Sequence, residues 1–278
     1  MQQFIFGFVV GLSVAGAVSF FLRKKAGKTQ PRKTPPGKNE QLKELEEISK
    51  LTGELAHEIK NPLSTIKINL KLVSEELESS NRVAPSAQDD GRLPRVLRKI
   101  SVIQKEADRL EQILDGFLRY IDRSQLQLSN VDVNSLIGEM IDFYSAQARS
   151  HSITIREGLY RQALVCKIDA DMLKQVILNL FINAQQAMKN GGELIIRTDK
   201  QNTDAVIQIS DTGSGIAPDK LPDIFNAFYT SRADGSGLGL PTAKKIVEAH
   251  KGTITVISEA GKGTSFTIKL PLAAESSK

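Results

Sequence analysis

The sequence predicts a multi-domain chain: an N-terminal transmembrane helix, a helical hairpin that pairs with a second copy into a four-helix bundle, and a C-terminal α/β sandwich. Three observations predict it. Phe4 to Leu22 is an unbroken run without a charged residue. From about Glu40 to Ile121, apolar residues recur at alternating three- and four-residue steps on two stretches separated by a polar loop. After Val131 the pattern changes to short alternating strands mixed with helices, as expected of helices packed on a sheet.

At a rise of 1.5 Å per residue, about 20 apolar residues cross a bilayer core, so residues 1–22 are expected to be a transmembrane anchor. Arg23, Lys24 and Lys25 follow at once. Positive charge stays inside, which sets a single-pass orientation in the cell (inner) membrane, N-terminus out and the rest cytoplasmic. Only Met1, Gln2 and Gln3 precede the run, so the charge order is wrong for a cleaved signal peptide. Residues 23–39 read as a linker containing Pro31, Pro35, Pro36 and Gly37. Seven basic and no acidic residues lie between Arg23 and Lys38, which more than supplies the formal net charge of +5. That balance suits anionic lipid headgroups. No aromatic residue is interleaved with the charges, which argues against a nucleic-acid footprint.

Residues 40–125 form the helical region. A first helix is expected from about Glu40 to Glu78, with a heptad seam at Ile59, Leu63, Ile66, Leu70, Val73 and Leu77. Ser79 to Pro94 reads as a loop. A second helix carries Ile100, Ile103, Ala107, Leu110, Leu114, Phe117 and Ile121. A hairpin with a full apolar seam cannot bury it alone, and two hairpins make a four-helix bundle, so a homodimer is expected. The first helix contains LTGELAHEIKNPLSTI, from Leu51 to Ile66. His57 falls one residue past the seam, at the bundle edge and within reach of another molecule. Asn61 lies one turn along the same face. Glu58 can lean back toward a ring nitrogen. Pro62 lacks an N–H and crowds the carbonyl of Glu58, so a bend is expected there. A lone helical histidine is more often a solvated surface residue. The proline, which costs about 3 kcal/mol in a helix interior, points to a local purpose.

Residues 131–274 form the sandwich. Helices are expected over 134–150, 169–188 and 240–250, and strands near 152–157, 164–168, 193–199, 205–211, 253–258 and 264–270. Four polar features interrupt the apolar pattern. Asn179 and Asn183 lie at i and i+4 on one face of an apolar helix. They are either ordinarily satisfied amides or oxygen ligands of the kind Mg2+ accepts. Asp211, at a strand end in DTGSGI, could accept from an exocyclic amine, with Gly213 and Gly215 letting the backbone approach a flat base. The segment FNAFYTSRADGSGLGL carries Gly235, Gly237 and Gly239 into a helix, where a phosphate cradle or a merely mobile loop would look alike. Thr264 follows a glycine turn into the last strand. Cys166 is the sole cysteine, excludes an internal disulfide, and reads as a small apolar residue in a strand.

HEIKNP resembles the H-box of sensor histidine kinases of two-component systems. The order of Asn183, Asp211-x-Gly213-x-Gly215, Phe225 to Phe228, Gly235-x-Gly237-x-Gly239 and Gly261-x-Gly263-Thr264 is similar to that family's nucleotide boxes. The resemblance runs from about Leu42 to Leu272: a HisKA-type dimerisation and phosphoacceptor domain, then a GHKL-type ATP-binding domain. The phrase FYTSRADGSGLGL looks most like the short-lid nitrogen-regulation and sporulation kinases. The resemblance implies a protein-histidine kinase in which ATP phosphorylates His57, with Glu58 as base or ring-orienting group and Asn61 positioning water for dephosphorylation. It implies Asn183 as a Mg2+ ligand and Asp211 on the adenine amine. Asn179, Gly213, Gly215, Thr230, Arg232, Gly235, Gly237, Gly239, Leu240 and Thr264 would complete the ATP site, with a lid from Asn226 to Gly239. The phosphoryl group would pass to the receiver domain of a separate response regulator. Two departures touch the phosphate contacts: Gln186 stands where many members have Lys, and Arg232 where the short-lid group commonly has Lys. His151 and His250 match no catalytic role and read as structural or exposed. A phosphatase-dominant two-component protein, another GHKL-type ATPase and a nucleotide-binding scaffold are the alternatives.

Overall fold

The computed structural model describes residues 38–80, 92–121, 126–232 and 235–273. The expected anchor over Phe4–Leu22 and most of the basic linker lie outside the described residues. Among the described residues, no helix is long and apolar enough to cross a membrane.

Helix α1 spans Lys38–Ser80 and continues through Pro62 without interruption. Just after the proline, Ser64 Oγ donates to the Lys60 carbonyl at 2.8 Å and Thr65 Oγ1 to the Asn61 carbonyl at 3.3 Å. Helix α2 spans Arg92–Ile121. It begins before Pro94, which sits in the first turn, where a missing N–H costs no intrahelical bond. The expected loop therefore ends earlier than its proline suggested. Polar side chains tie the two helices together. Lys99 pairs with the Glu76 carboxylate, and Arg109 Nη2 stands 3.8 Å from Glu58 Oε2. The apolar seam is left largely uncovered within one chain. Leu63, Leu70 and Leu77, seven residues apart, are 48%, 51% and 56% exposed.

The sandwich begins with strand β1 (Ser129–Asp132) and helix α3 (Val133–Ser150), followed by β2 (Ile153–Gly158) and β3 (Val165–Ile168). Helix α4 (Ala170–Ala187), strands β4 (Gly192–Gln201) and β5 (Asp204–Asp211), helix α5 (Gly239–Ala249) and strands β6 (Thr253–Glu259) and β7 (Gly263–Pro271) complete it. Five strands form one sheet in the order β2-β4-β5-β7-β6, with β2 parallel to β4 and the other pairs antiparallel. β1 and β3 pair separately. Period-2 alternation turns one sheet face inward: Leu194 and Ile196 from β4, Ile207 and Ile209 from β5, and Phe266, Ile268 and Leu270 from β7 are buried. They form one core with Ile137 and Tyr144 of α3, Ile177 and Phe181 of α4 and Val247 of α5. Cys166 lies in that core, and burial pushes its thiol up to about 11.

Aspartates set where the helices start. The side chain of Asp132 accepts from Asn134 N at the start of α3, and that of Asp169 from Met172 N at the start of α4. His250, at the end of α5, is buried. Its Nε2 accepts from the Asp169 N–H at 2.9 Å, and its Nδ1 faces the Ile246 carbonyl at 2.8 Å. It is a structural histidine that ties the start of α4 to the end of α5. His151 is exposed beside Ser150 and Gln147.

Candidate active site

The site has two parts. On α1, His57 and Asn61 are both exposed, and Glu58 is half-buried against Arg109 of α2. Arg109 also stands 4.0 Å from Glu106, so two carboxylates converge on one guanidinium. Pro62 is buried, and the residues on either side of it are exposed. None of His57, Glu58 and Asn61 lines the cavity described next.

That cavity measures about 720 Å³ and opens between α4, the end of β5, the segment before α5 and helix α2. Asn179 and Asn183 enter it from α4, Asp211 and Gly215 from the end of β5 and its following loop, and Thr264 from β7. Thr230, Arg232, Gly235, Gly237, Gly239 and Leu240 close another side. Gly213 is not among its walls. A Cβ at Gly213 would stand 2.7 Å from Ala187 Cβ, and one at Gly215, with φ +64°, 2.0 Å from the Glu259 carbonyl oxygen. These two glycines are demanded by close backbone packing within the protein, which the sequence reading ascribed to a flat ligand.

The start of α5 faces the cavity through Gly239, Leu240, Pro241 and Thr242, and its N-cap Leu238 makes no side-chain capping bond. The N–H groups of an uncapped first turn, with the positive end of the helix dipole, favour an anion. Asn179 Nδ2 donates to the Gly239 carbonyl at 3.1 Å, which fixes the last glycine against α4.

Two charged groups lie deep in the site. Asp211 is buried, and its Oδ1 accepts from the Gly213 N–H at 2.8 Å. Burial pushes its carboxyl above the usual range, against the backbone N–H groups of Gly213 and Thr264 and the charge of Arg232. Burial lowers the Arg232 guanidinium, and Asp211 partly offsets this. Arg232 Nη2 donates to the Asn183 carbonyl at 3.3 Å, and Nη1 lies 3.5 Å from Asn183 Oδ1. Nη1 also donates to Gln186. The two departures noted in the sequence are thus partners of each other.

Helix α2 also reaches the cavity, which the sequence reading missed. Gln112, Gly116 and Arg119 line it. Beside them Leu238, 1% exposed, packs with Leu51 and Phe117. Phe117 and Phe228 stack with centroids 6.5 Å apart. Lys245 of α5 donates to the Tyr120 carbonyl at 2.5 Å, with its ammonium 4.7 Å from the Tyr120 ring. The one available sequence signal was Gly116, a poor helix former in the interior of a helix.

An α/β sandwich with this cavity, following a hairpin that carries an exposed histidine, defines a class. Residues 168–274 match the histidine kinase-, DNA gyrase B- and HSP90-like ATPase family, and residues 47–127 match the His Kinase A phospho-acceptor domain. Over these residues the chain belongs to both families, and proteins named as sensor histidine kinases are among its relatives. It is 34% identical to the sensor histidine kinase ZraS of Escherichia coli (strain K12) over 259 residues, covering 93% of this chain and 52% of ZraS. It is 31% identical to sporulation kinase E of Bacillus subtilis (strain 168) over 229 residues, covering 82% of this chain and 29% of that kinase. The chain thus spans about half the length of the ZraS relatives it matches. Histidine kinase ThkA in complex with response regulator protein TrrA superposes with a TM-score of 0.64 at 23% identity, over 86% of this chain and 66% of that one. Full-length ShkA in complex with AMPPNP gives 0.56 at 23%, over 81% and 46%. These two likenesses establish the fold.

Proposed function

We propose that this chain is a membrane-anchored sensor histidine kinase. ATP bound in the cavity would phosphorylate His57, and the phosphoryl group would pass to an aspartate of a separate response regulator. One observation carries the reading. Asn183, Asp211, Thr230, Arg232, Gly235, Gly237, Gly239 and Thr264, far apart in sequence, converge on one cavity at an uncapped helix start. Relatives named as sensor histidine kinases support the reaction, and ThkA, seen with a response regulator, supports that class of partner.

The donor set fits the reactants. Asp211 supplies a buried acceptor for an exocyclic amine, and the first turn of α5 supplies N–H groups for phosphate oxygens. Asn183 offers an amide oxygen for Mg2+, which when bound would neutralise phosphate charge. Arg232 would release Asn183 and Gln186 to pair with a phosphate. In the transfer, a ring nitrogen of His57 attacks the terminal phosphorus, the N–P bond forms as the bridging P–O bond breaks, and ADP leaves. Glu58 would hold the ring with that nitrogen unprotonated, and Arg109 would keep the carboxylate in place. Asn61, exposed one turn from His57, favours a second activity in which its amide orients a water that dephosphorylates the regulator. The uncovered leucine stripe supports a homodimer, and residues 1–22 would hold the assembly in the membrane.

The test is incubation with γ-labelled ATP. The wild-type chain should acquire an acid-labile, alkali-stable label, and His57→Ala should acquire none while still binding ATP. Label retained in His57→Ala would remove the assignment.

A further inference from the structure

We infer that helix α2 builds a second wall of the nucleotide cavity and that Arg119 on it is a phosphate-binding residue. The inference rests on reading that cavity as the ATP site. Gln112, Gly116 and Arg119 are spaced four and three residues apart, so they form one stripe of α2. All three line the cavity, whereas Leu110 and Leu114 of the apolar seam do not.

Gly116 stands close to the segment before α5. A Cβ there would stand 3.2 Å from Leu238 Cδ1 and 3.7 Å from Ser236 Oγ. Ser236 and Leu238 belong to the glycine-rich segment that leads into α5, the end of the cavity suited to phosphate. With about 1.5 Å of rise per residue, Arg119 lies roughly 4.5 Å along the axis from Gly116, and Gln112 roughly 6 Å in the other direction. Both side chains are long enough to reach over the segment. The register is fixed one residue beyond Arg119, where Lys245 holds the Tyr120 carbonyl at 2.5 Å. Leu238, buried against Leu51 and Phe117, pins the same contact from the other side.

The charges agree with this assignment. Arg232 is engaged with Asn183 and Gln186. Arg119 is exposed and makes no ion pair with the described residues. A guanidinium binds phosphate oxygens bidentately and keeps its charge at any working pH. Arg119 therefore contributes a cation from the phosphoacceptor domain to a ligand held by the ATP domain. Nucleotide occupancy and the seating of one domain on the other become linked, and each strengthens the other equally.

Titration calorimetry on the full chain in detergent micelles tests this, with AMPPNP plus Mg2+ and, separately, adenosine. Arg119→Ala should weaken AMPPNP binding about tenfold, the loss expected of one charge-assisted contact, and leave adenosine binding unchanged. Arg119→Lys should recover part of the loss. Gly116→Leu, which improves helix propensity, should also weaken AMPPNP binding because the wall can no longer approach Leu238. Equal AMPPNP affinity in wild type and Arg119→Ala would overturn the inference, as would a parallel loss of adenosine. Failure of the wild-type chain to bind either ligand would instead overturn the nucleotide reading, and this inference with it.

Discussion

Leu238→Ala isolates the contact between the ATP domain and the helical hairpin. Leu238 is 1% exposed and packs with Leu51 and Phe117, themselves 7% and 9% exposed. The substitution removes three carbons from a small cluster. Burial of those groups and the cavity left behind together are worth about 2–3 kcal/mol, the lower part of the range for buried leucines, because the site lies at a domain boundary and can partly collapse. If that energy holds the domain on α2, the seated fraction should fall roughly 30- to 150-fold relative to the unseated one. Hydrogen–deuterium exchange reads this directly. Amides of α2 from Gln112 to Ile121 should exchange faster, and those of α4, in the separate core, should not. Faster exchange in α4 with α2 unchanged would show that Leu238 serves only the sandwich, and the docking argument would fail.

Two further outcomes are expected. His250→Ala leaves the Asp169 N–H without its partner in a buried site, while the Ile246 carbonyl still accepts from the backbone N–H of residue 250, so it should cost about 1–3 kcal/mol and lower the melting temperature of the sandwich without altering the hairpin, as followed by calorimetry. For Asp211, burial raises the folded-state carboxyl above its ordinary 3.8; the ionised acceptor is present above that raised value and lost as pH falls through it. Adenosine affinity should therefore begin to fall at a higher pH than an ordinary aspartate would give, and Asp211→Asn should flatten the profile. A profile falling only near the ordinary value would contradict the burial argument.

Periodicity carried the sequence reading furthest. The three- and four-residue steps set His57 one position off the seam of α1, and the structure exposes it. Alternation in 193–199, 205–211 and 264–270 located three neighbouring strands of the main sheet, each within two residues of its ends. β1 is not legible in the sequence because its four residues are too short to show a period, and its pairing with β3 is a long-range event. Pro94 reads as loop in the sequence because a proline's signal is the same in a loop and in a helix's first turn. Arg232, Asn183 and Gln186 could each be picked from the sequence, but their mutual contact exists only after α4 and the segment before α5 close on each other. The α2 wall was hidden for a related reason. Gln112 and Arg119 look like ordinary solvated residues, and only Gly116 departed from helix preference.

The uncovered leucines of α1 have a consequence for how the chain comes apart. The sandwich encloses its own core, so forming that core does not require a second copy of the chain. Helices α1 and α2 leave Leu63, Leu70 and Leu77 facing outward, so their apolar gain is realised only when another copy arrives. Mass action then enters their stability, and dilution acts on the hairpin as a denaturant would while the core of the ATP domain stays closed. Holding copies in a two-dimensional sheet raises their local concentration. For this chain, confinement to a surface would therefore be a thermodynamic term in the folding of the very helix that bears His57.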